Sequence, residues 1–234
     1  MANTYAIADL HGRFDLLEMA ITAIEADAPD GGRVVFLGDY VDRGPQSAQI
    51  IERLMAGPAD PSKWAWVCLQ GNHEAMMLTC LNKRGLMHWW LGNGGGATLI
   101  SYGAKNGDLV TEAADRVSAQ HIAWLEDLHL FEVDDHRVYV HAGVDPAVSL
   151  AMQDAQVLQW KLYDEGDQRG HSGRHVVHGH HQFADGPILL EGRTDLDTFA
   201  WWTGRLVIGV FDDDTSGGPA RTIEVIGAPF TPSA

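Results

Sequence analysis

RVVFLGDYVDRGPQSAQIIERLM, residues 33–55, is the stretch on which the fold turns. Val34 to Leu37 is a short apolar run of the kind that forms a buried strand, and it empties into a Gly-Asp turn. Pro45 then stands where proline is tolerated, at the first position of a helix that carries Ile50, Ile51 and Leu54 on one face. The same sentence is written on either side. Tyr5 to Ala8 reads as a strand running into Asp9-Leu10-His11-Gly12, and Phe14 to Ala28 follows with Phe14, Leu17, Ala20, Ile21 and Ile24 at helical spacing. Trp64 to Leu69 is a third strand, and it opens through QGNHE into another helix. Strands alternating with helices predict an α/β fold whose strands lie parallel.

Further along, MHWWLGNGGGATLISYG and a polar segment lead to a short predicted helix from Ser118 to Leu128, so residues 86–128 read as a helical cap inserted in the domain. Strands resume with FEVDDHRVYVHAG as a hairpin, then RHVVHGHH, TDLDTFA, RLVIGVF and RTIEVIG, with a turn at DDDTSGGPA and a frayed tail APFTPSA. No repeat or linker divides the 234 residues, which predicts one domain over 1–234.

Composition narrows the function. Sixteen basic against thirty-two acidic residues leave a net charge of −16, which speaks against partners held through their phosphates, whether a nucleic acid duplex or an anionic membrane. The opening MANTYAIADLHG has neither the basic nor the apolar stretch of a secretory leader, and no apolar run would span a bilayer, so a cytoplasmic protein is expected. Cys68 and Cys80 sit in apolar settings and read as reduced core thiols. There is no GxxxxGK followed by Ser or Thr, no GxSxG elbow, and HEAMM at 73–77 lacks the second histidine of a zincin.

What remains is a set of polar residues placed just past apolar runs: Asp9 and His11, Asp39, Asn72 and His73, His141, and His180. In open α/β folds the carboxyl ends of strands are where ligands gather. If strand geometry persists through them, Asp9 and His11 point to one face. Carboxylate, amide and imidazole donors together suit manganese, iron or zinc better than magnesium or calcium. Six candidate ligands, Asp9, His11, Asp39, Asn72, His141 and His180, are too many for one tetrahedral ion, and a bridging Asp39 could join two.

ADLHG at 8–12, GDYVDRG at 38–44, GNHE at 71–74, HAG at 141–143 and GH at 179–180 resemble, in order and spacing, the phosphoprotein phosphatases among the calcineurin-like metallophosphoesterases. TDLDTFA is similar to a late segment of that family, with Phe199 in place of a glycine. The resemblance implies a four-layer α/β/β/α sandwich. It implies that Asp9, His11 and Asp39 hold one divalent ion, and that Asp39, Asn72, His141 and His180 hold a second, with manganese the expected metal and iron or zinc the alternatives. It further implies that Arg43 binds phosphate, that His73, oriented by Asp42, is the general acid, and that the nucleophile is a hydroxide on the metals. An imidazolium beside a carboxylate and a guanidinium facing phosphate oxygens are chemically apt for those tasks.

Other readings stand beside these. Arg43 could pair with Glu74 or Asp42; GNGGG at 92–96 reads as a loop after a helix rather than a phosphate loop; Trp89 and Trp90 are expected to pack the cap. Glu74 reads as a first-turn helix charge, and His178 and His181 as core or supporting residues. Related bacterial phosphatases carry a second phosphate-binding arginine where LQWKLYD here places Leu162, so Lys161 is the expected substitute, with Arg169 or Arg174 as others. The expected activity is a metal-dependent phosphomonoesterase, first of all a Ser/Thr protein phosphatase, acting on a phosphorylated protein or a small phosphorylated substrate. The alternative is symmetrical hydrolysis of dinucleoside polyphosphates, and a non-catalytic metal- or phosphate-binding module comes third. Asp42 and Glu74 favour the first, because the symmetrical tetraphosphatases read GDLVARG and GNHD at those places.

Overall fold

A computed structural model describes residues 3–105 and 107–231; positions 232–234 of the expected frayed tail fall outside them. The predicted strand, turn and helix units are all present. They run β1 (Asn3–Ile7), α1 (Phe14–Asp27), β2 (Gly32–Phe36), α2 (Ser47–Ala56), β3 (Trp64–Cys68) and α3 (Asn72–Asn82). Four short helices follow, α4 (Met87–Trp90), α5 (Gly96–Ser101), α6 (Val110–Ala114) and α7 (Ala119–Glu126). The second half contains β4 (Phe131–Val133), β5 (Arg137–Val140), α8 (Ala155–Trp160), β6 (His175–His178), β7 (Ile188–Leu189), β8 (Arg193–Asp195), α9 (Ala200–Thr203), β9 (Arg205–Asp212) and β10 (Arg221–Ile226).

Two mixed five-stranded sheets result, ordered β10-β9-β1-β2-β3 and β4-β5-β6-β8-β7. In the first, β1, β2 and β3 are parallel and β9 runs against β1; in the second, β5, β6 and β8 are parallel, with β4 and β7 antiparallel at the edges. The strands explain why the sequence shows apolar runs rather than alternation, since both faces are buried. Tyr5, Ile7, Val34 and Phe36 point at α1 and α2, packing with Leu17, Ile21, Ile50 and Leu54. Their neighbours Ala6, Ala8, Val35 and Leu37 point the other way, meeting Tyr139, Val177, Leu196 and Phe211 between the sheets. On the far side Val138, Val140 and Val176 pack with Leu158 of α8. Helices therefore cover two sheets that face each other, as the four-layer expectation requires.

The helices of 84–126 pack on α2 and α3 through Met76, Met77, Met87, Trp90, Leu99 and Leu125. Some local expectations give way. Pro45 lies in a turn, and the helix begins at Ser47. TDLDTFA is strand only to Asp195, after which the chain turns into α9. GNGGG is no loop beyond a helix end: helical structure continues through it, kinked at Gly94 where φ is 105°. Among the described residues, no helix is long and apolar enough to cross a membrane.

Candidate active site

Five parallel strands deliver the site. Asp9 and His11 follow β1, Asp39, Asp42 and Arg43 follow β2, and Asn72 and His73 begin α3 just after β3. From the second sheet come His141 after β5 and His180 after β6. Asp9, Asp39, Arg43, Asn72, His73 and His180 line a cavity of about 350 Å³ whose remaining wall is Leu162, His181, Gln182 and Phe183.

Asp9 and His11 are not extended. Each has φ near 40°, so the sequence-based picture of two ligands carried on a continuing strand is replaced by a tight turn. Eight described non-glycine residues have positive φ, and six of them are Asp9, His11, Asp39, Asp42, Arg43 and His180, which puts the costly backbone at this site. Interlocked turns hold it there. His11 N donates to Asp39 O at 2.8 Å, Gly12 N to Tyr40 O at 2.9 Å, and Gly44 N to His11 O at 3.0 Å. Glu74 clamps the next pair: its carboxylate accepts from the backbone N–H groups of Asp39, Tyr40, Val41 and Gly71 at 2.8 to 3.2 Å. Two glycines permit the close approach. A Cβ on Gly71 would lie 2.2 Å from Asp39 Oδ1, and one on Gly179 would lie 2.1 Å from Asp9 Oδ2.

The donor set fits divalent cations. Burial holds His11 and His141 below the usual imidazole range, so each carries a single proton. That proton sits on Nδ1, where His11 meets Val41 O at 2.8 Å and His141 meets Leu37 O at 3.0 Å. Both Nε2 lone pairs therefore face inward. His141 Nε2 is 2.8 Å from Asn72 Oδ1 and 3.5 Å from Asp39 Oδ1, and His11 Nε2 is 3.4 Å from Asp39 Oδ2. Acceptor facing acceptor in a buried place calls for a cation between them. His180 is pushed down to about 3 by burial, with His141 adding to the effect, so it too is neutral and able to ligate. Asp9 is raised by burial and then by its neighbours Asp197 and Asp39, a crowding of carboxylates that positive charge would relieve. Ligand atoms of His11, Asp39 and His73 lie within 4.8 Å of one another, and so do those of Asp39, His141 and His180. Asp39 belongs to both groups, as a bridging residue must; Asp9 belongs to neither, and its Oδ2 accepts from His180 N at 3.0 Å.

His73 stands beside His11, its Nε2 4.0 Å from Asp39 Oδ2. Its Nδ1 donates to Asp42 Oδ2 at 2.7 Å. Burial opposes charge on this ring, but Asp39 and the bonded Asp42 outweigh it and hold its pKa above the ordinary value. Asp42 is fully buried and takes two further donors, Trp90 Nε1 at 2.9 Å and Thr98 Oγ1 at 2.7 Å. Those two cap residues were not among the sequence-based candidates; the one signal was that a buried tryptophan must place its N–H somewhere. Asp197, buried with Oδ2 unpartnered and raised to about 7 by burial and then Asp39, also belongs here. It stands in the TDLDTFA segment singled out for its resemblance.

Arg43 pairs with neither Glu74 nor Asp42. Its Nη1 donates to His11 Nε2 at 2.8 Å and its Nη2 to His73 Nε2 at 3.1 Å, while its backbone N–H donates to Gly94 O of the GNGGG kink. Lys161 is placed otherwise than its neighbours in the expected site: its Nζ lies 4.9 Å from the Tyr163 ring centroid, and it is not part of the cavity wall, where Leu162 is. Arg169 is held by Asp167, and Arg174 donates to Asp134 O; neither reaches the cavity. His178 is buried against Arg193, and His181 meets Lys161 O and Tyr163 N, both outside the ligand groups.

Comparison with known proteins places this geometry. Residues 2–203 match the family described as calcineurin-like phosphoesterase. The symmetrical bis(5'-nucleosyl)-tetraphosphatase of Pseudomonas syringae pv. tomato is 29% identical over 168 residues, covering 69% of this chain and 48% of that protein. The serine/threonine-protein phosphatase PP1-1 of Saccharomyces cerevisiae is 41% identical over 92 residues, 35% of this chain and 28% of that one. The chain thus spans about half the length of the tetraphosphatase relative it matches. In structure it resembles a cold-active protein tyrosine phosphatase, with a TM-score of 0.63 at 17% identity over 92% of this chain and 78% of that one.

Proposed function

The chain belongs to the calcineurin-like phosphoesterase family, and from that premise we propose that it hydrolyses dinucleoside polyphosphates symmetrically, releasing two nucleoside diphosphates from a tetraphosphate. The supporting observation is the similarity to symmetrical tetraphosphatases over 69% of the chain. Of the two enzymatic readings the sequence left open, the relatives favour the second over the protein phosphatase.

In this reading Asp9, His11 and Asp39 hold one divalent ion and Asp39, Asn72, His141 and His180 the other. Two such ions supply charge to the phosphate oxygens and activate water. The chain's own residues do the rest. Arg43 leaves the two imidazoles and offers its paired N–H groups to the phosphate, which frees His11 Nε2 for a cation and His73 Nε2 for a proton. His73 gives that proton to the departing phosphate oxygen, and Asp42 keeps the ring oriented through Nδ1. Trp90 and Thr98 hold Asp42 in place from the cap.

One observation favours the phosphomonoesterase reading: the Asp42–His73 pair is fully built, as a poorly departing serine alkoxide would require. Products decide. Metal-reconstituted protein given diadenosine tetraphosphate is expected to release ADP alone. Release of AMP with ATP, or no cleavage by protein that dephosphorylates a phosphoserine peptide, would overturn the symmetrical reading.

A further inference from the structure

Two tryptophan pairs stand beside the candidate centre, each touching a different member of it. The first is Trp201 with Trp202 in α9. Arg43 Cζ lies 5.5 Å from the Trp201 ring centroid, and Trp202, 5.6 Å from Trp201, is 43% exposed. The second is Trp160 with Trp89. Trp160 meets the edge of the His180 ring at 6.3 Å and lies nearly parallel to Trp89, at 19° and 6.3 Å, and Trp89 is 40% exposed. In both, an inner ring abuts a site side chain while an outer ring meets solvent.

Both pairs are held rather than loosely placed. Arg13 donates to the carbonyls of Ala200 and Trp201, Phe230 N donates to Trp202 O at 3.0 Å, and Phe199 covers one side of Trp202 with rings inclined by 21°. Trp89 stacks on Trp160, and its helix is anchored by Trp90, whose ring is buried and bonded to Asp42. A large apolar ring kept partly in water by a rigid frame keeps stacking energy available for a ligand. Arg43 ties the first pair to the phosphate position, and His180 ties the second to the metal ligands.

Resting on the symmetrical reading above, we propose that Trp202 and Trp89 are stacking platforms for the two nucleobases of a dinucleoside polyphosphate, whose phosphate chain crosses the centre between Arg43 and His180. A substrate with a planar base at each end and anionic charge between them matches two aromatic platforms with the Arg43 guanidinium and the cluster of candidate metal ligands between them. A phosphopeptide has no such pair of rings to offer. Stacking tolerates any base, so the platforms select for nucleotides without reading which one is present.

The test is calorimetric titration of metal-reconstituted protein with ADP and, separately, with methylene diphosphonate, which carries the diphosphate charge without a base. Wild type is expected to take up two ADP per chain. Trp202→Ala and Trp89→Ala should each weaken one of the two ADP sites about tenfold, and the double variant both, while diphosphonate affinity moves less than twofold. Trp202→Tyr and Trp89→Tyr should restore most of the loss, which separates stacking from misfolding. One ADP per chain in wild type, alanine variants that bind ADP as wild type does, or equal losses for diphosphonate would overturn the platforms. The symmetrical reading is judged independently by the cleavage products of diadenosine tetraphosphate: its failure leaves tryptophan-dependent ADP binding intact, and failure of the platforms leaves ADP as the product.

Discussion

Asp42 illustrates how much of this site depends on partners distant in the chain. Its pairing with His73 was expected through the resemblance that GDYVDRG and GNHE carry, and the structure makes it at 2.7 Å. Its bonds to Trp90 and Thr98, 48 and 56 residues away, were not, because no periodicity records where a cap helix will land. If His73 is the acid, His73→Asn should retain the metals and lower kcat about 10²–10⁴-fold on an alkyl phosphate. With a p-nitrophenyl leaving group, which departs unaided, the loss should be far smaller; equal losses would mean that His73 serves binding instead. Leu162 offers a gain to look for. It is 68% exposed and forms part of the cavity wall at the position where the family resemblance led to the expectation of an arginine. Leu162→Arg should tighten inhibition by free phosphate about tenfold, since a hydrogen-bonded charge is worth roughly 1.5–3 kcal/mol. An unchanged inhibition constant would show that this position does not reach the phosphate.

At the scale of elements, the sequence located β1, β2 and β3 and the helices after them, because buried parallel strands and amphipathic helices write strong periodic signals. The turns between them were legible in place but not in backbone conformation. Asp9 and His11 look like strand residues two apart, yet both adopt left-handed φ, which only the interlocked backbone bonds of the neighbouring turn can enforce. The same close fit makes the turn after β6 brittle. A Cβ at Gly179 would lie 2.1 Å from Asp9 Oδ2 and 2.8 Å from Ala8 Cβ. Gly179→Ala should displace Asp9, lower bound metal below two ions per chain by elemental analysis, and reduce kcat/KM about 10²-fold, as ångström-scale misplacement does. Full metal content and turnover would contradict the proposed place of Asp9. The GNGGG segment was likewise read as a loop after a helix end, whereas helical structure continues through it and Gly94 O accepts from the Arg43 backbone.

For the molecule as a whole, the family resemblance led to a sandwich of two sheets, but nothing in the sequence shows how buried histidines tie stability to pH. His175, at the start of β6, is pushed down to about 4 by burial, with Arg137 adding to the effect, against ~6.5 when unfolded. Below ~6.5 the unfolded chain takes up a proton that the folded chain refuses until about 4, so stability present above ~6.5 falls as pH drops through that window. His175→Gln should flatten this part of the curve of unfolding free energy against pH; an unchanged slope would assign the acid sensitivity elsewhere. The net charge of −16 bears on function at the same scale, since against it Arg43 and the cations that the ligand cluster would take up are what could hold an anionic substrate at the cavity. The central claim is that this centre works on dinucleoside polyphosphates. It is tested most directly by kcat/KM for diadenosine tetraphosphate and for a phosphoserine peptide, measured on one preparation with the same metal and pH. A preference of tenfold or more for the tetraphosphate is predicted, and an equal or greater kcat/KM on the phosphopeptide would contradict it.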